Sequence, residues 1–130
     1  EACRVARSRV IEDGIHTAIL RDRLQQRLLD GIDGLVLNGH PTERLPNTLH
    51  VSVPGLEGAK ILEGLPRLMA STGAACHDRT VKLSHVLSAM AVPPEIGMGA
   101  LRFSLGRSNT MDQIEEAAAM IIQRVKEMRK

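Results

Sequence analysis

Aromatic side chains are almost absent from this chain of 130 residues: it has no Trp, no Tyr and a single Phe, Phe103. Any core must close with Leu, Ile, Val, Met and Ala. The same lack removes the platforms on which nucleic-acid bases stack, so a nucleic-acid partner is not expected. Hydrophobic residues make up 43% and charged residues 25%, the balance of a soluble globular chain. The length suits one domain with a real core. Net charge is +2. Arg4, Arg7, Arg9, Arg21, Arg23 and Arg27 are interrupted by Glu12, Asp13, Asp22 and Asp30, which reads as a solvated helix face rather than a phosphate-binding stripe.

Two cysteines, Cys3 and Cys76, lie far apart, so no disulfide framework is expected and a reducing, cytoplasmic setting fits. No run approaches the roughly 18–20 apolar residues of a membrane span, and no membrane association is expected. The first ten residues lack the apolar stretch of a secretory signal and begin without Met. The chain is read as a piece of something longer.

Periodicity gives the element order. Residues 1–30 read as helix, with Ile11, Ile15, Ala18, Ile19, Leu24 and Leu28 at roughly helical spacing and Gly14 weakening the middle. Residues 31–34 stop it. Residues 35–37 form a short apolar strand, and 38–41 have turn chemistry. Leu49, Val51 and Val53 alternate with His50 and Ser52, a half-buried strand ended by Pro54 and Gly55. Residues 58–65 form a short helix closed by Pro66. Residues 68–71 are a possible strand, 72–83 a loop and 84–90 a short helix. Pro93 and Pro94 mark a turn, and 99–105 alternate around Arg102 as a strand. In the last helix, Thr110 and Gln113 match a capping box. Met111, Ile114, Ala118, Ile121, Ile122 and Val125 follow at helical spacing. The expected fold class is α+β: a small mixed sheet of three to four strands with helices packed on one side.

Few residues carry chemistry. Cys76 sits among Ser71, Thr72, Gly73, Ala74, Ala75 and His77, small or polar neighbours that leave a thiol uncrowded. His77 and Arg79 are placed to favour a thiolate. A small buried hydrophobe is the other reading of a free cysteine. Arg102 stands in an otherwise apolar strand. Its planar fork suits a carboxylate; an internal salt bridge or a water-facing side chain is the alternative. Arg107, at the strand end, reads as structural. His16, His40, His50, His77 and His85 show no metal-ligand spacing, no Cys-x-x-Cys is present, and no metal site is expected.

Four ordered motifs then carry a resemblance. They are Arg44-Leu45-Pro46-Asn47-Thr48, the Val51-Ser52-Val53-Pro54-Gly55 turn with Leu56-Glu57-Gly58, the Ser71–His77 segment, and Leu101-Arg102-Phe103-Ser104-Leu105-Gly106-Arg107. Together the series resembles the C-terminal part of the NifS-like cysteine desulfurases, class V of the pyridoxal-phosphate aminotransferase superfamily. The Ala-Ala-Cys-His version is similar to selenocysteine lyases. The resemblance covers nearly the whole chain, most strongly residues 44–110. It implies the C-terminal small domain of a fold-type I pyridoxal-phosphate enzyme over residues 1–130, with residues 1–30 as the helix leading to a large domain that is absent here.

The resemblance also implies roles. Cys76 matches the thiol that attacks the sulfur of cysteine, or assists selenium release from selenocysteine, leaving alanine and a persulfide. Arg102 matches the arginine that holds the substrate carboxylate. Ser71, Thr72, Gly73, Ala74, Ala75 and His77 match the mobile loop that carries the cysteine toward a sulfur or selenium acceptor protein. The cofactor is pyridoxal phosphate, bound in the large domain, and the parent enzyme is expected to be a homodimer. This sequence departs from the family at Ala59-Lys60-Ile61-Leu62, where Glu-Ser-Leu-Leu is common. None of Lys60, Lys82, Lys126 and Lys130 has the context of the cofactor lysine. The isolated chain is therefore expected to be inactive and to associate through an apolar face left bare. The competing expectation is a non-catalytic sulfur carrier or interaction module using the same loop cysteine.

Overall fold

The computed structural model describes residues 1–73 and 83–130. Its elements are α1 (Ala2–Gly31), β1 (Val36–Leu37), β2 (Thr48–Ser52), α2 (Gly58–Glu63), α3 (His85–Ala89), α4 (Pro94–Gly97), β3 (Ala100–Ser104) and α5 (Met111–Met128). Three strands form one sheet in the order β1-β2-β3. The α+β class holds, and both strand pairs are antiparallel, where a mixed sheet was expected. The possible strand at 68–71 reduces to a single bridge between Ser71 and Arg102. A tight turn, Leu68 N–H to the Leu65 carbonyl at 2.9 Å, holds its first residue, so only the last meets β3. The short helix α4 was not anticipated. Pro94 opens it, and the fixed φ of proline suits a first helical position as well as a turn.

Register decides what each sheet face carries. Leu49 lies opposite Phe103, His50 opposite Arg102 and Val51 opposite Leu101. With side chains alternating along each strand, Leu49, Val51, Leu101 and Phe103 share one face, and Thr48, His50, Ser52, Arg102 and Ser104 share the other. The first face is sealed against Leu20, Leu24 and Leu28 of α1, Ile61 of α2, and Ile114, Ala118, Ile121 and Val125 of α5. This core is aliphatic apart from Phe103, as composition required. Helix α5 starts as its sequence foretold: the Thr110 hydroxyl accepts from the Gln113 N–H, and the Gln113 side chain accepts from the Thr110 N–H. Charged ties brace the helices. Arg23 and Arg27 of α1 both pair with Glu115 of α5. Arg21, nearly buried, donates to the Leu45 carbonyl at 2.8 Å. The solvated-face expectation therefore holds for Arg4, Arg7 and Arg9 and not for Arg21.

Helix α1 corrects the expected apolar stripe. Its buried residues are Thr17, Leu20, Arg21, Leu24 and Leu28. Ile11, Ile15 and Ile19 are 77%, 60% and 57% exposed. Each isoleucine precedes one of the three leucines by nine positions, about two and a half turns. The helix thus carries two apolar stripes on opposite faces, and only the leucine stripe has a partner among the described residues.

Close backbone approach fixes the join between β2 and β3. A Cβ added at Gly99 would stand 2.0 Å from the Val53 carbonyl oxygen. That carbonyl belongs to backbone and cannot swing away, because the Val53 N–H also bonds the Gly99 carbonyl at 3.0 Å. Gly99→Ala is expected to destabilise the fold by about 1–3 kcal/mol, the cost of overpacking. Gly106→Ala, whose nearest atom is 3.9 Å away, should be near neutral. Urea denaturation of both variants checks this. The bare isoleucine stripe predicts self-association of this chain at high concentration. Sedimentation should show Ile15→Lys shifted toward monomer, and a wild-type chain that is monomeric throughout would contradict the prediction.

Candidate functional site

The polar face of the sheet collects the side chains with chemical potential. Arg102 sits mid-way along β3 with its side chain exposed. It lines a shallow cleft of about 310 Å³ with Leu68, Met69, Ala70, Ser71 and Ser104. No carboxylate pairs with it among the described residues. Of the readings left open by sequence, an internal salt bridge is therefore not seen, and the guanidinium faces outward. Its fork of donors has no side-chain partner among the described residues and suits an anion.

The backbone of Arg102 is bound to the segment that leads to the cysteine. The Arg102 N–H donates to the Ser71 carbonyl at 2.6 Å, and the Ser71 N–H donates to the Arg102 carbonyl at 3.1 Å. Two residues on, Gly73 adopts φ +77°, a left-handed conformation open to glycine at little cost. Its N–H reaches the Ser71 hydroxyl at 3.3 Å. Of the expected loop, Ser71, Thr72 and Gly73 lie within the described residues, and Ser71 is held in the bridge to Arg102. Ala74, Ala75, Cys76 and His77 lie outside the described residues.

His50 is the residue that sequence reading left out of the site. Because Arg102 turns its N–H and carbonyl toward Ser71, and the His50 carbonyl accepts from the Asn38 N–H at 2.9 Å on the other side, the two form a non-hydrogen-bonded cross-strand pair. Side chains in such pairs lie closest together. The His50 ring is half-buried, and its Nε2 has no hydrogen-bond partner among the described residues. A Cβ on Gly73 would lie 3.4 Å from that nitrogen. Burial, and then the positive charge of Arg102, hold its pKa below the ordinary 6.5. Its alternation with Leu49 and Val51 was visible in the sequence; its pairing with Arg102 required the register.

No group of His, Cys, Asp and Glu among the described residues has the makings of a metal site, and no helix is long and apolar enough to cross a membrane. The Arg102 cleft has no lysine and no carboxylate in its lining. Lys60 is paired with Glu57 at 2.9 Å on the far-off α2, while Lys126 and Lys130 stand at the end of α5.

Comparison with known proteins follows the same lines. No family model matches the chain. It is 44% identical over 124 residues to a protein named cysteine desulfurase IscS from Methanosarcina thermophila, covering 91% of this chain and 30% of that protein. It is 42% identical over 104 residues to cysteine desulfurase 2 of Trichormus variabilis, covering 78% of this chain and 26% of that one. A solved NifS-like protein superposes with a TM-score of 0.79 at 27% identity, over 94% of this chain and 30% of that one. A NifS-like protein from Rickettsia africae has a TM-score of 0.77 at 23% identity, over 92% and 31%, a likeness of fold. The chain spans about a third of the length of the curated relatives it matches.

The lowered His50 pKa predicts how acid acts on the fold. The unfolded chain takes up this proton more readily than the folded one. The stability that His50 contributes is whole above about pH 6.5 and is lost as pH falls from there through the depressed folded value. His50→Gln should flatten that part of a denaturation profile measured against pH.

Proposed function

The chain belongs to the NifS-like cysteine desulfurase family, and on that premise we propose that it is the C-terminal domain of an enzyme that takes sulfur from cysteine and leaves alanine. The observation that carries the proposal is the bridge between Ser71 and Arg102. Arg102 holds the substrate carboxylate through its outward guanidinium. Cys76 is the acceptor thiol. Five peptide links join Ser71 to Cys76, a tether of at most about 18 Å, so the thiol stays within that reach of the bridge to the arginine. His77 and Arg79 favour the thiolate, the form that attacks sulfur.

The overall change balances simply. Cysteine and the Cys76 thiol give alanine and a Cys76 persulfide: one sulfur–sulfur bond forms, the substrate's carbon–sulfur bond breaks, and that carbon takes a proton. Pyridoxal phosphate, in this proposal, is held by the part of the polypeptide beyond this chain and supplies an electron sink. Ser71, Thr72 and Gly73 anchor the loop on which the persulfide is offered to an acceptor protein. The bare isoleucine stripe of α1 is the face on which that larger part of the polypeptide rests. It gives the stripe opposite the leucines an apolar partner, as a helix apolar on both sides requires.

The test is alanine release from cysteine and from selenocysteine by the intact protein supplied with pyridoxal phosphate. Cys76→Ala should lower release from cysteine by at least about a hundredfold. Arg102→Gln should raise KM roughly ten- to a hundredfold, the loss of one hydrogen bond to a charged group. Release from selenocysteine alone would assign a selenocysteine lyase. Release from neither substrate would sink the proposal and leave a sulfur carrier using Cys76.

A further inference from the structure

We propose that His50 tunes the grip of Arg102 on a carboxylate: the imidazole wedged between Arg102 and Gly73 takes up a proton when the carboxylate docks. The inference rests on the reading of Arg102 as a carboxylate site and assigns a second residue to it. His50 is a positioning residue here, acting through Arg102.

Three observations converge. First, the register makes His50 and Arg102 a non-hydrogen-bonded pair on the open face of the sheet, the closest spacing two cross-strand side chains have. Second, the His50 ring nitrogen Nε2 is out of water with no partner among the described residues, which is costly for a polar atom in a finished site. Third, that nitrogen lies under Gly73, at the entry to the cysteine segment, where a side chain would be strained by the positive φ and its Cβ would already be in contact with the ring at 3.4 Å. The imidazole is thus caught between the arginine and the base of the loop.

The electrostatics follow from this placement. Burial and then the positive charge of Arg102 lower the proton affinity of the His50 ring. A carboxylate on Arg102 cancels the repulsion. The ring then accepts a proton from solvent, and the imidazolium adds its attraction to that of the guanidinium. Among the described residues, the other charged or titratable groups near His50 come from the segment after β1, where His40 and Arg44 line the same small cavity as His50. Arg44 turns its Nη2 away to Gln25 Oε1 at 2.6 Å and Asp22 Oδ1 at 3.4 Å, while its Nε and Nη1 are buried with no partner among the described residues. Ser71 and Gly73 bring no charge. Among the described residues, Arg102 is the charge that lowers the proton affinity of His50. By linkage the coupling is reciprocal: a protonated His50 must tighten carboxylate binding by the factor with which the carboxylate favours the proton.

Propionate is a suitable probe, since it carries the carboxylate and lacks the amine that reacts with the cofactor. In the intact protein, the inhibition constant of propionate against alanine release should be about threefold or more lower near about pH 6 than near about pH 8. His50→Gln should lose this slope. Arg102→Gln should weaken propionate at every pH. A slope that persists in His50→Gln overturns the inference while leaving the carboxylate reading intact. Propionate binding that Arg102→Gln leaves unchanged overturns both. Proton NMR of the His50 ring in the wild-type protein needs neither variant nor turnover: its pKa should rise when propionate is added, and a pKa that stays put also overturns the inference.

Discussion

Everything at the candidate site depends on one alignment, the antiparallel register that sets Leu49 against Phe103 and Val51 against Leu101. Because strand side chains alternate, that choice also sets His50 against Arg102. A slip of one residue would turn the arginine into the core and the leucines into water. The aliphatic residues of α1 and α5 therefore act at a distance on the site. By giving the leucine–valine face somewhere to go, they hold the polar face outward. The Gly99–Val53 contact serves the same end, since only a residue without a Cβ lets the strand ends come together in this register.

Much of this was legible in the chain, and the failures have physical causes. The capping box of α5 and the alternation of β2 and β3 are local patterns, and local patterns survive folding. The stripe of α1 was misjudged because two apolar rows nine residues apart look like one loose periodicity when written in a line. Residues 68–71 have strand composition, yet a strand needs a run of partners, and only Ser71 finds one. The sense of the strands was not written in the periodicity at all, since an alternating pattern is the same for parallel and antiparallel neighbours.

The site divides the same way. Arg102 was conspicuous as a lone charge among apolar residues. Ser71 and Gly73 were noted for their small size, and the structure adds the bridge and the left-handed turn that give them a task. His50 carried no signal of its own. Its importance is relational, created by a partner some fifty positions away in the chain, and no spacing rule along the sequence reaches that far. Cys76 rests on motif resemblance and on its short tether to Ser71.

The two-faced helix α1 has a thermal consequence. Unfolding exposes apolar surface, and that exposure is the main source of the heat-capacity change that bends the stability curve of a protein. A folded state that already wets Ile11, Ile15 and Ile19 has less apolar surface left to expose. Taken by itself, this chain should show a smaller heat-capacity increment for its length, and so a shallower curve that loses less on cooling. Once an apolar partner covers that stripe, the increment grows, and the domain acquires the sharper optimum temperature of a fully closed protein.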